Sequence, residues 1–170
     1  MTIGRPEEGE VAAYYFPYIN LAGGDDPRPA LKEFEKTLGF LGRITEEKSL
    51  YRYEPGKWSL REVLNHVTDT ERAFAFRALW FARGFDAPLP GYDQNIGAAG
   101  AQADLVAWAG HVEEFTRVRL ATVSLFEHLP EEAWMRTGIA SNNPFSVRSL
   151  GYIIAGHTTH HVRIIRERYL

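Results

Sequence analysis

The chain has 170 residues, 45% hydrophobic and 13% aromatic, enough for one domain with a sizeable core. Its net charge of -3 comes from interleaved acids and bases, with no basic block to track a phosphate backbone, so nucleic acid is not an expected partner. The lack of cysteine excludes disulfides and thiolate ligands, and the lack of a signal core or a run of ~18 apolar residues leaves a cytoplasmic protein, off the membrane, as the expectation.

In chain order, residues 7–21 are aromatic and interrupted by Pro17, which predicts a short kinked helix across the domain. After Asp25-Asp26-Pro27, the apolar residues Leu31, Phe34, Leu38 and Leu41 recur at helical spacing and predict one helix from about 28 to 47. Residues 48–58 read as a connection. Ser59 and Glu62 then form a capping box, with Trp58 and Val63 as the hydrophobic staple around it. The helix that follows carries the stripe Leu60, Val63, Leu64, Val67, Glu71, Phe74 and Ala78, and Gly84 ends it.

Residues 85–101 read as a long irregular segment, of the kind that is functional, mobile or crosses a bundle from end to end. A helix over about 102–128 follows, with His111 and His128 off its stripe and expected at the surface. Residues 130–146 read as a turn and a polar loop, and a last helix runs from Ser146 or Val147 to the terminus. No alternating strand pattern appears. The prediction is an all-α fold of four long helices and some short ones.

Two features interrupt the apolar stripes. Glu71 falls near the centre of its stripe, where a carboxylate must be paired or protonated. It could orient an imidazole, serve as an acid or base, or pair with Arg163 or Arg166, the ion pair being the favoured reading. In the last helix, Val147, Leu150, Ile154, His157, His161 and Ile165 share one face. Two imidazoles one turn apart can converge on one ion, or can be core histidines bonded to a carbonyl or carboxylate. His66, at the edge of the earlier stripe, is a half-exposed histidine on one reading and a third ligand on the other.

Three protein ligands would leave an open position for water or substrate, as catalytic sites do. Thr158 follows His157 where a zincin has its glutamate base, so the base in a hydrolysis would be metal hydroxide or a carboxylate, with Glu71 and Asp93 as candidates. A low-molecular-weight thiol is the other nucleophile such a centre could activate; without cysteine, it would have to arrive as a cosubstrate.

Several segments are similar to the DinB-like/YfiT superfamily of metal-binding four-helix proteins, over nearly the whole chain. They are Lys57–His66, Thr68–Arg72, Arg77–Gly84, Pro88–Asp93, Gly156–His161 and Arg166–Tyr169. The resemblance implies His66, His157 and His161 as ligands of a divalent metal, zinc or nickel. It also implies a single bundle of up-down-down-up topology, with residues 85–101 as the crossover between its second and third helices. That crossover would carry Tyr92, Asp93 and Gln94 near the metal. A homodimer is implied as well. The expected activity is a metal-dependent hydrolase or thiol S-transferase acting on a small molecule, against the alternative of a non-enzymatic metal-binding or stress-response module.

Overall fold

In the computed structural model, which describes residues 2–170, the chain enters through a tight turn at Ala13–Tyr15 and the short helix α1 (Phe16–Ile19). Pro17 starts this helix instead of kinking it. In the first turn its missing N–H takes nothing from the ladder. The helix expected over 28–47 is divided into α2 (Pro27–Lys32) and α3 (Glu35–Leu41). Glu33 leaves the helical region with ψ 43°, yet Leu31 and Leu41 both remain fully buried, so the apolar face survives the break.

Helix α4 (Leu60–Ala82) begins at the capping box. Glu62 N donates to Ser59 Oγ at 3.1 Å, and Ser59 N donates to the Glu62 carboxylate at 2.7 Å. Trp58 and Val63 belong to one apolar cluster, as a staple requires. Gly84, at φ +84°, turns the chain out of the helix.

The crossover is more ordered than its composition suggests. It contains α5 (Gln94–Ala101), capped by Asp93, and a 3-10 turn at Ala103–Leu105, so α6 (Trp108–Glu127) starts later than expected. The polar segment near 140 is also not a plain loop. It forms an antiparallel hairpin of β1 (Thr137–Ala140) and β2 (Asn143–Ser146), with Thr137 opposite Ser146 and Ala140 opposite Asn143. The two residues between them, Ser141 and Asn142, have φ of 51° and 60°, the double positive φ that suits a two-residue hairpin turn. Leu89 of the crossover docks beside this hairpin, donating to Ile139 O and accepting from Ser141 N. Ser146 then caps α7 (Val147–Ile164), whose last turn widens over Ile165–Tyr169 and is pinned by Tyr169 Oη donating to Trp58 O at 2.8 Å.

Side-chain pairings give the direction of each rod. Arg61 donates to Val106 O just before α6, Glu71 meets Arg119, and Leu79 lines a groove with Leu125, so residue numbers rise together and α4 and α6 are parallel. Trp58 meets Tyr169, His66 meets His161, and Phe74 meets His157, so α7 runs against α4. Trp108 Nε1 donates to Leu41 O and Arg119 reaches Leu31 O, so the α2–α3 rod runs against α6. The result is the up-down-down-up four-helix bundle, and the long crossover is what two consecutive parallel rods require. Among the described residues no helix is long and apolar enough to cross a membrane.

Candidate metal centre

Two rods supply the site. His66 lies less than two turns inside α4, behind its capped end, and His157 and His161 lie one turn apart on α7. The glycine before His157 fixes how the N-terminal segment reaches them. A Cβ at Gly156 would stand 1.8 Å from Tyr18 O, so only glycine lets α1 lie against α7 there. That contact lays the Tyr18 ring edge-on at 5.4 Å from His157 and 5.2 Å from His160.

The three imidazoles do meet. Their ring centroids are 4.5 Å apart for His157–His161, 4.9 Å for His66–His161 and 5.1 Å for His66–His157. One ring nitrogen from each lies within 4.8 Å of the other two. Nε2 of His157 and Nε2 of His161 are 3.1 Å apart. His66 Nδ1 is in contact with Thr70 Oγ1 at 3.3 Å, which leaves Nε2 as its free nitrogen. His66 and His157 are buried and His161 is half-buried. The half-exposed reading of His66 therefore does not hold: the Trp58 ring covers it at 4.9 Å.

Burial also sets their protonation. It pulls His66 down to about 4, and burial followed by the neighbouring imidazoles pulls His161 down to about 3 and His157 well below its ordinary value. All three are neutral at pH 7, the form that ligates. Two neutral imidazoles facing each other through Nε2 can share one proton at most. A cation between them would use both lone pairs. Zinc–nitrogen bonds of 2.0–2.1 Å in a tetrahedron put nitrogens about 3.3 Å apart, close to the His157–His161 separation. The donor set suits a divalent cation.

The histidines stand in the wall of a cavity of about 360 Å³. Tyr15, Tyr18, Trp58 and Phe74 give it aromatic sides, and Tyr92 and Gln94 approach from the crossover, as expected. Asp93 does not line it: its side chain accepts from Asn95 N and Ile96 N as the cap of α5. Glu71 does not line it either. Its carboxylate accepts from Arg119 Nε at 2.8 Å and Arg119 Nη2 at 2.7 Å, and Arg119 Nη2 also donates to Thr158 Oγ1 at 2.7 Å. The ion pair expected for Glu71 is present, but with Arg119 and not with Arg163 or Arg166, both of which are exposed. This bridge joins α4, α6 and α7 at the residue after His157. His111, expected at the surface, is buried against Ala103 O, whereas His128 is exposed.

Sequence reasoning passed over Arg77. It lines the same cavity, and its signal was the spacing of His66, Thr70, Ala73 and Arg77 on one face of α4. Ser141, from the hairpin turn, is the other missed wall residue, and nothing in a sequence of that composition brings it to α4.

Comparison with solved structures finds the same fold in YfiT from Bacillus subtilis, described as a probable metal-dependent hydrolase with an unusual four-helix bundle topology. The match has a TM-score of 0.72 and 16% identity, over 95% of this chain and 89% of that chain. No curated protein matches the sequence. The DinB superfamily profile matches residues 32–165, a span that includes α4, α6, α7 and all three histidines. By that match the chain belongs to the DinB superfamily.

Proposed function

We propose that the protein is a metal-dependent enzyme that acts on a small molecule in the cavity beside His66, His157 and His161. The observation that carries this reading is the convergence of three buried, neutral imidazoles on the wall of an open cavity. Core histidines with a purely structural role would be paired with carbonyls or carboxylates, and none of these three is. A closed binding module would have no need of the adjoining space.

When bound, a divalent ion such as zinc or nickel would supply Lewis acidity and lower the pKa of a water or thiol in its open position, to ~7 for water. The chain's own residues do the rest. Burial keeps the three imidazoles neutral, each with one ring nitrogen unprotonated, so no second proton competes for that nitrogen near neutral pH. Trp58 and Tyr18 limit how much water reaches the rings. The Glu71–Arg119–Thr158 bridge holds the turn of α7 that carries His157, which makes Glu71 a positioning residue. No carboxylate lines the cavity among the described residues, so the chain supplies no acidic side chain as general base there, and a hydrolysis would depend on the Lewis acidity of an ion held by His66, His157 and His161. The same centre suits a low-molecular-weight thiol brought in as cosubstrate.

Metal analysis of untagged protein after supplementation with zinc or nickel is expected to give one ion per chain, falling below a tenth of that in His157→Ala. Ester and amide hydrolysis, and thiol conjugation, are then assayed side by side on both proteins. Full activity of the His157→Ala protein would rule the centre out.

A further inference from the structure

Four arginines are buried among the described residues: Arg61, Arg77, Arg119 and Arg148. Three of them have a carboxylate partner, Arg61 with Glu46, Arg119 with Glu71 and Arg148 with Glu10. Arg77 has none, although it is only 6% exposed. Its Nη2 donates to Ser141 Oγ at 2.9 Å and, at longer range, to Pro90 O at 3.5 Å. The guanidinium carbon lies 5.4 Å from the Phe74 ring centre and 5.5 Å from that of Phe145. The Tyr15 hydroxyl is the other polar group acting on it, and favours the charged form against burial, which lowers the pKa. Ser141, Pro90 and two aromatic faces are enough to tie the hairpin and the crossover to α4. They do not neutralise the charge, and a buried cation without an anion is costly.

The open side of Arg77 is the cavity that holds the histidines. His66 and Arg77 stand on one face of α4, eleven positions apart, a rise of about 16 Å along the axis. Both side chains lean toward the helix N-terminus, which keeps them on one wall. We infer that Arg77 is the anion subsite of this cavity, and that the substrate is an elongated small molecule with a carboxylate at the end remote from the reacting group. A guanidinium takes a carboxylate through parallel N–H···O bonds; Nη2 of Arg77 is tied to the hairpin and the crossover, and the other side-chain partner of the guanidinium is the Tyr15 hydroxyl, a neutral group on the wall of the same cavity. Tyr15 and Ser141 add hydroxyls beside the same anion, and the aromatic walls of Phe74 and Tyr92 suit an apolar middle section. The assignment rests on the reading of the histidine cavity as a substrate site, and it adds the class of substrate.

The probe is benzoate, compared with benzamide, which has the same shape but no charge. Both are titrated into the full chain, metal-loaded and metal-free, by calorimetry. Metal-free protein removes direct ligation of benzoate to an ion as an explanation. Benzoate is expected to bind about tenfold more tightly than benzamide in both forms, the size of one charge-assisted interaction. Arg77→Met is expected to abolish that preference without changing metal content, and Arg77→Lys to retain part of it. Equal binding of the two probes by the unaltered protein would overturn the subsite, and that measurement needs no variant to fold. Unchanged benzoate preference in Arg77→Met would overturn it as well. His157→Ala separates this inference from the metal reading: full metal content in that variant sinks the metal centre, whereas the benzoate preference there is expected to persist.

Discussion

Glu71 and Arg119 each keep 2% of the side chain exposed, and each is the other's ion-pair partner in the interior. Two bonds of 2.7–2.8 Å and a third to Thr158 leave few unsatisfied donors in the group. Removing one partner strands the other, so Arg119→Met is expected to destabilise the fold by about 3–5 kcal/mol in urea unfolding, and the double change Glu71→Leu with Arg119→Met by much less. Sequence made Glu71 conspicuous but not its partner. Arg119 lies between Phe115 and Thr122 on the buried face of α6, and an arginine there reads as surface until the rods are placed. The histidines carry a second consequence at this scale. With folded-state pKa values below the ordinary 6.5, the unfolded chain binds more protons than the native one wherever pH is below that value. Stability of the metal-free protein is therefore full above about pH 6.5 and falls with pH through the window down to about 4 and then 3. At 1.36 kcal/mol per pKa unit, His66 alone accounts for roughly 3 kcal/mol by pH 4. Urea midpoints across pH 4–7 check this, and His66→Gln is expected to flatten the slope.

At the scale of elements, what was legible depended on whether the signal was local. The capping box, the staple and the terminal Gly84 of α4 are all short-range chemistry, and each stands where the sequence put it. Ser59→Ala removes the acceptor for Glu62 N and is expected to cost about 1 kcal/mol in thermal or urea unfolding. The break between α2 and α3 has no proline or glycine to announce it, because the apolar spacing continues through Glu33 and Phe34. The hairpin was missed for a different reason. Its strands have four residues each, and the docking of Leu89, far away in sequence, completes it. Packing of α1 against α7 depends on one atom. Gly156→Ala would drive a methyl carbon onto the Tyr18 backbone carbonyl, which cannot swing away as a side chain end would. The expected outcome is at least about 1–3 kcal/mol of destabilisation, with loss of metal affinity as Tyr18 leaves His157. Paired unfolding and metal titrations would detect both, and a stable variant with unaltered affinity would contradict that packing.

For the molecule as a whole, the direction of the rods was implied by the family resemblance, and the length of the crossover, which two parallel neighbours need and antiparallel ones do not, agrees with it. The side-chain contacts then give α4 parallel to α6 and antiparallel to α7. This topology makes the proposed metal centre a link between rods that are distant in the chain: His66 belongs to the second rod and His157 and His161 to the fourth. An ion held there binds the native chain and not the unfolded one, since no segment of the unfolded chain contains all three donors. Native-state binding raises stability by RT ln(1 + [L]/Kd), about 2.7 kcal/mol at a hundredfold excess over Kd. Saturating zinc or nickel is therefore expected to raise the unfolding midpoint, while magnesium, which prefers oxygen ligands, is expected to leave it unchanged. His66→Ala and His161→Ala should each abolish the shift, though one removes a ligand from α4 and the other from α7. If His66→Ala kept the whole shift, the ion would be bound by α7 alone through the His157–His161 pair. The two rods would then be joined by packing only, and the centre would be a surface clip instead of a link through the bundle.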